Sequence, residues 1–409
     1  MSLLVENFRK QIAKEKDLKM TTEAGCGVGY PTGFHTVDMN NGMWIHVHNV
    51  EKKLDYKYIS AGIPDGSMIQ VVGRSQAGKS TFCMQAGANI VRPFKTSCIF
   101  EDSIERGMTW PRRILLTGWD ETEVRERVIP RDKGITAENF YKRIKKIHDM
   151  KMAEPDKYLY NTGLLDNFGN EISLFEPTVY ILDSVALLMP KNVLEQDELG
   201  GTMSTTAGAK VVTQVFRGII QMLKAANIIL IAVNHILDDV SITGRPKKPS
   251  LAYLKVGETL PKGKTIIYLA NTIIRLDDVT KLKGDEKYKV WGSLVEATLV
   301  KSRSARSNQK TTLLFNHDTG FDPILSSLIF MQNTDRIHGA GIGLYLDDHK
   351  DMKFSMGNFK EKMQNNEEFF NTFTAAYIEE LKKIPEANVN PTTIANNKIN
   401  EKVMNLLNV

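Results

Sequence analysis

The chain has 409 residues, 42% hydrophobic and 25% charged, the balance of a globular protein longer than one average domain and able to bury a sizeable core. A net charge of +5 permits a polyanionic partner without arguing for one. No apolar run reaches membrane-crossing length and the first residues do not read as a leader, so the expectation is a cytoplasmic protein with no membrane association. Cys26, Cys83 and Cys98 are widely spaced and lack CxxC or CxxH partners, which supports neither a disulfide framework nor a zinc site.

In chain order, Leu4, Phe8 and Ile12 recur four apart among Arg9, Lys14, Lys16 and Lys19, which predicts an amphipathic helix. Gly25, Gly27, Gly29, Pro31 and Gly33 follow as punctuation, so residues 1–33 read as an N-terminal helix and flexible arm that could pack on a neighbouring subunit. Over residues 34–330 the runs MIQVVG, SCIF, TVYILD and IILIAVN alternate with helical stretches, which predicts an α/β core with a mostly parallel sheet flanked by helices. The runs TIIRL, VEATLVKS and TTLLF follow one another more closely and predict an antiparallel edge. Residues 331–409 change pattern, through a Gly-rich link near His338 to Gly343 into EEFFNTFTAAYIEELKK, and read as a small C-terminal helical domain.

The run MIQVVG passes into Gly73, Arg74, Ser75, Gln76, Ala77, Gly78, Lys79, Ser80 and Thr81, then into the helical TFCMQAGANIV. This is a phosphate-binding P-loop in its strand-to-helix context, where glycines let backbone N–H groups turn onto phosphate oxygens and the helix aims its positive end at the same anion. Lys79 is expected on the β- and γ-phosphates of ATP, Ser80 on Mg²⁺ and Thr81 near the α-phosphate. The apolar run Val179 to Leu182 ends in Asp183, a second holder of Mg²⁺ from another strand. Hydrolysis also needs a carboxylate to orient and deprotonate water. Glu101 and Glu105 both follow SCIF; Glu105, further beyond the strand, is the favoured of the two.

These residues resemble the RecA family, and within it the phage UvsX-type branch. The likeness starts at PTGFHTVDMNNG and SAGIPDGSMIQVVG, with residues 43–60 as an insertion between them. It continues through CIFEDSIERG, ILDSVALLMPK, IAVNH, the KSR of Lys301, Ser302 and Arg303, and GFDP at Gly320 to Pro323, covering about residues 31–330. The resemblance implies that Glu105 is the catalytic acid, although the family places that acid two residues after the strand-end aspartate, where Ile104 stands here. It implies that Asn234 and His235 sense the γ-phosphate. Lys301 and Arg303 alternate along a predicted strand and so share a face; the resemblance implies that this pair reaches a neighbouring subunit's ATP, as an arginine finger does.

Two long polar loops occupy the positions of the family's DNA-binding loops: Met189 to about Lys210, rich in Gly, Ser and Thr, and Ile236 to Thr265. The second carries Arg245, Lys247, Lys248, Lys255, Lys262 and Lys264, an excess of cations suited to gripping phosphates without regard to sequence. Tyr253 or Leu254 in it could wedge between bases or pack on the loop itself. The resemblance thus implies a DNA-dependent ATPase that forms helical filaments on single-stranded DNA and tests homologous duplex DNA. Single-strand-binding and loader proteins are further partners that such a filament could take. A RecA-fold helicase-like motor, or a mediator that binds without catalysing exchange, are the competing readings.

Overall fold

The computed structural model describes residues 27–49, 52–166, 169–195, 202–238, 251, 253–261, 263–283, 290–347 and 349–386. The described chain begins with β1 (Gly29–Tyr30), α1 (His35–Asn40), a hairpin of β2 (Met43–Asn49) and β3 (Leu54–Ser60), and β4 (Ile63–Pro64), which pairs back on β1. The core follows as β5 (Met68–Gly73), α2 (Lys79–Val91), β6 (Ile99–Ser103), α3 (Trp110–Thr117), α4 (Glu121–Arg127), β7 (Val128–Arg131) and α5 (Ala137–Ala153). A hairpin of β8 (Leu159–Leu165) and β9 (Glu171–Phe175) leads to β10 (Thr178–Asp183), α6 (Lys191–Leu194), α7 (Thr202–Ala225) and β11 (Ile228–His235). Then come the paired β12 (Leu237–Asp238) and β13 (Glu258–Thr259), α8 (Gly263–Leu269), β14 (Thr272–Lys283), β15 (Val290–Ser302), β16 (Gln309–Asn316), β17 (Gly320–Asp322) and α9 (Pro323–Gln332). Two further helices close the described chain, α10 (Phe359–Asn365) and α11 (Glu367–Glu386).

Nine strands form one sheet in the order β17-β16-β15-β14-β5-β11-β10-β6-β7. It is parallel from β14 to β7 and antiparallel from β14 to β17, the α/β architecture of a RecA-like core with the expected antiparallel edge. The central strands are apolar on both faces because helices cover both. Ile69, Val71, Ile181 and Ile231 pack with Phe82 and Cys83 of α2. Met68, Tyr180, Leu182 and Leu230, one residue out of step, pack with Phe140 and Ile144 of α5 and Phe216 of α7. That period-two split is the signature of a sheet buried on both sides. Side-chain caps start several helices: Thr136 accepts from Asn139 N at 3.1 Å, Asp120 from Glu123 N at 2.8 Å and Asp322 from Leu325 N at 3.0 Å.

The described end of the expected flexible arm is fastened to this core. Val28, Tyr30 and Phe34 are buried, because β1 is tied to β4 and Phe34 stacks on Phe82 at 4.6 Å between ring centroids. Beyond α9, Phe354, Phe359, Phe369 and Phe373 form a separate aromatic cluster with Leu328 and Met331, packed against Met39 of α1. The first of the two long loops is shorter than expected: Lys191–Leu194 and Thr202–Ala225 are helical, with residues 195–201 between them. No helix among the described residues is long and apolar enough to cross a membrane.

Asp38 of α1 is fully buried and accepts from Thr32 N at 2.9 Å and Thr32 Oγ1 at 2.6 Å. Burial pushes its carboxyl up to about 7, with those donors opposing the shift. A raised folded-state value means that the native protein holds this proton where the unfolded chain has lost it. The contribution is therefore complete below about pH 4 and lost as pH rises through about 7. Urea unfolding at pH 5 and pH 8 should show stability falling with pH, and Asp38→Asn should remove most of that dependence; an unchanged slope in the variant would contradict it.

Candidate nucleotide site

Parallel strands present their carboxyl ends along one edge, and that is where open α/β sheets place ligand chemistry. Gly73 ends β5 beside β14, so close that a Cβ there would stand 2.5 Å from Leu276 O. Gln76 and Gly78 adopt left-handed backbone angles of 66° and 80°, which fold the loop over before α2 starts at Lys79. Ala77 is buried, while Arg74, Ser75 and Gln76 face solvent. Thr81 lies in α2 against β17, where a Cβ on Gly320 would meet its methyl at 3.1 Å.

Four neighbouring strand ends bring the expected residues together. Ser80 Oγ donates to Asp183 Oδ2. Asp183 ends β10, and its peptide to Ser184 is cis. His235, in register with Gly73 at the end of β11, sets Nε2 3.0 Å from Glu105 Oε1. Ser184 Oγ donates to the same Glu105 oxygen at 3.4 Å. Ligand atoms of Glu105, Asp183 and His235 all lie within 4.8 Å of one another. Lys79, only 5% exposed, donates from Nζ to Arg74 O at 2.7 Å, within its own loop. Burial lowers the Lys79 ammonium and raises the Asp183 carboxyl, Ser80 partly opposing the latter. A buried ammonium and carboxyl so biased are ready for counter-charges from a phosphate and a cation. The hydroxyl of Ser80 against a carboxylate oxygen is a hard-oxygen pair, which fits Mg²⁺.

The other expected residues lie elsewhere. Glu101 is held within β6 in a buried ion pair, accepting from Arg113 Nε at 2.8 Å and Ser103 Oγ at 3.0 Å. Asn234 points away from the cluster: being one residue before His235 on a strand, it faces the other side and donates to Pro261 O at 3.1 Å. Arg303 falls one residue past the end of β15 rather than within a strand. Lys301 Nζ donates to Ile267 O at 2.6 Å and Arg303 Nη2 to Tyr268 O at 2.8 Å, so within one chain both cap the carbonyl end of α8. Arg245, Lys247, Lys248 and Lys262, with the side chain of Lys264, lie outside the described residues. Lys255 is partnered, its N–H on Glu258 Oε2 at 2.8 Å and Nζ 3.7 Å from Asp277. Leu254 is buried and Tyr253 packs beside it, which removes both as free wedges in this state.

One connection had no expectation behind it. The second loop closes at a neck, Asp238 paired with Glu258, and Arg74 of the P-loop donates to Asp238 Oδ1 at 2.7 Å while standing 3.6 Å from Glu258 Oε1. Behind the neck, Arg275 grips Glu258 through two nitrogens at 2.8 and 3.0 Å, and Asp277 through Nε at 2.7 Å. The signal in the sequence is a charged RLDD directly after an apolar TII, where an arginine inside a buried strand has to be paired.

Fold and site define an α/β protein with a RecA-like core and a phosphate loop at the carboxyl edge of its sheet. No family model matches the chain. It is similar to protein RecA of Chlamydia abortus, 20% identical over 366 residues, 86% of this chain and 85% of that protein. Protein RecA of Wolinella succinogenes is 21% identical over 327 residues, 80% of each, and protein RecA of Chlamydia trachomatis 19% over 350, 82% of each. Likeness at this level, sustained over most of each chain, supports the RecA family.

Proposed function

We propose that this protein is an ATP-driven recombinase of the RecA type, akin to the phage UvsX-type branch, which assembles as helical filaments on single-stranded DNA and exchanges strands with homologous duplex. The observation that carries the reading is the convergence of Lys79, Ser80, Asp183, Glu105 and His235 at adjoining strand ends, with the neck of a long loop tied to the same P-loop. Lys79 and the loop amides hold the β- and γ-phosphates. Ser80 and Asp183 would hold Mg²⁺, which when bound would neutralise charge on the phosphate oxygens. Glu105 accepts the proton of the attacking water as its oxygen bonds to the γ-phosphorus and the bond to the β-bridging oxygen breaks, while Ser184 donates to the carboxylate and His235 stands beside it. Lys301 and Arg303 would leave α8 to meet a neighbouring subunit's nucleotide, which makes ATP part of the filament joint.

The same geometry supports coupling to DNA. Phosphate arriving at Lys79 draws its ammonium off Arg74 O, and Arg74 is the residue whose guanidinium holds the loop neck at Asp238. ATP thereby favours one arrangement of the loop, a population shift set by differential affinity.

ATP turnover with and without single-stranded DNA, beside negative-stain microscopy of the same mixtures, tests the reading. Stimulated turnover with ATP-dependent helical filaments is expected. Closed rings would instead identify a motor, and filaments without turnover a mediator.

A further inference from the structure

The hairpin of β2 and β3 stands apart from the nine-stranded sheet and turns its two faces to different uses. On one face Val47 is buried, and Tyr56, paired with it, accepts at its hydroxyl from Leu165 N at 2.9 Å. The other face carries His46 and His48, two apart on β2 and so on one side of the strand, and Asp55, directly opposite His48 on β3. All three are exposed. One ligand atom from each lies within 4.8 Å of the others. His46 Nε2 stands 2.6 Å and His48 Nδ1 3.6 Å from the same atom, Asp55 Oδ1. The imidazoles are tilted by 54° with centroids 5.6 Å apart, so they are not stacked; they converge by their nitrogens on one point.

We propose that His46, His48 and Asp55 bind a divalent transition-metal ion of the zinc class, at a site separate from the nucleotide cluster. Two imidazole nitrogens and one carboxylate oxygen are the donor set that such ions prefer, whereas Mg²⁺ and Ca²⁺ want oxygen alone. Three protein ligands leave a fourth, tetrahedral position open to water or to a group from another molecule. The ligands come from both strands, so the ion clips β2 to β3. A two-stranded ribbon has little stability of its own, which gives that clip a structural effect. Lys57, opposite His46, is the cation on this face; its flexible stem lets the ammonium stay in water when an ion binds.

The test uses the full chain stripped of metal, with saturating Mg²⁺ and ADP to occupy the nucleotide site. Zn²⁺ binding is followed by calorimetry, and Co²⁺ by its visible absorption, which reports mixed nitrogen and oxygen ligation. One ion per chain is expected, saturating at a few-fold molar excess. His46→Ala and His48→Ala should each weaken binding by about tenfold or more, and Asp55→Asn should weaken it too. Zn²⁺ should also raise the unfolding temperature of the unaltered protein and leave the His46→Ala/His48→Ala double variant unmoved. His235→Ala separates the two clusters, since it should leave Zn²⁺ binding intact. Binding retained in the double variant, binding lost in His235→Ala, or a need for large metal excess would each overturn the proposal. The three ligands are exposed, and a far-ultraviolet spectrum checks that the variants fold.

Discussion

Glu105→Gln should lower DNA-stimulated ATP turnover by about 10²-fold or more while ATP binding is retained, because a positioned general base typically contributes ~10²–10⁴ in rate and no phosphate contact is touched. The amide keeps the size of the side chain and can still meet Ser184 and His235, but it takes no proton. Glu101→Gln is the control that separates the two candidate acids. Its carboxylate is sealed against Arg113, so its loss leaves a buried guanidinium short of a partner and should cost about 3–5 kcal/mol of stability with little effect on the turnover of protein that remains folded. Single-turnover hydrolysis and urea unfolding of both variants check this. Full turnover in Glu105→Gln would remove Glu105 from the chemistry, one inserted residue after the family's usual spacing notwithstanding.

How far the sequence could be read depended on whether the deciding physics is local. The P-loop and its strand–loop–helix context are consecutive, and each step of β5 into α2 follows from residue type. Strand ends were nearly as legible, since Asp183 closes a run of apolar residues that must be buried. The antiparallel edge followed from spacing alone. What escaped was direction and partnership. Asn234 and His235 are neighbours in sequence yet face opposite sides of β11, and only the register decides which joins Glu105. The loop after Met189 reads as polar coil, but Thr202–Ala225 forms one helix because Val212, Phe216, Ile219 and Leu223 lie on its buried side, and packing outweighs the small and hydroxylated residues at its start. Lys301 and Arg303 read as cations free for a neighbour; in this chain they cap α8, a contact set by chain topology far from either residue in sequence.

Arg275→Met should destabilise the protein by about 3–5 kcal/mol, the cost of removing one partner from a buried ion pair. Its guanidinium holds Glu258 and Asp277 and donates to Tyr253 O at 2.6 Å, so the loop neck loses its anchor along with the charge balance. Glu258, 5% exposed, is left without the partner that holds its carboxyl below its ordinary value against the opposing effect of burial. Adding Glu258→Gln to the same chain removes the orphaned charge and should recover part of the loss; strict additivity in that cycle would mean that the pair carries no coupling. Arg74→Ala attacks the same neck from the solvent side. Arg74 is exposed, and an exposed pair contributes little to stability, so its unfolding midpoint should barely move. Its effect belongs to coupling instead: the gain in single-stranded DNA affinity on adding ATP should shrink in Arg74→Ala, with ATP binding itself near normal. Paired measurements on the two variants therefore divide the neck into a buried anchor that holds Glu258 in place and an exposed tether that lets the P-loop pull on it. If Arg74→Ala kept the full ATP response, the tether would be a resting contact and the signal would have to travel through His235 at the end of β11.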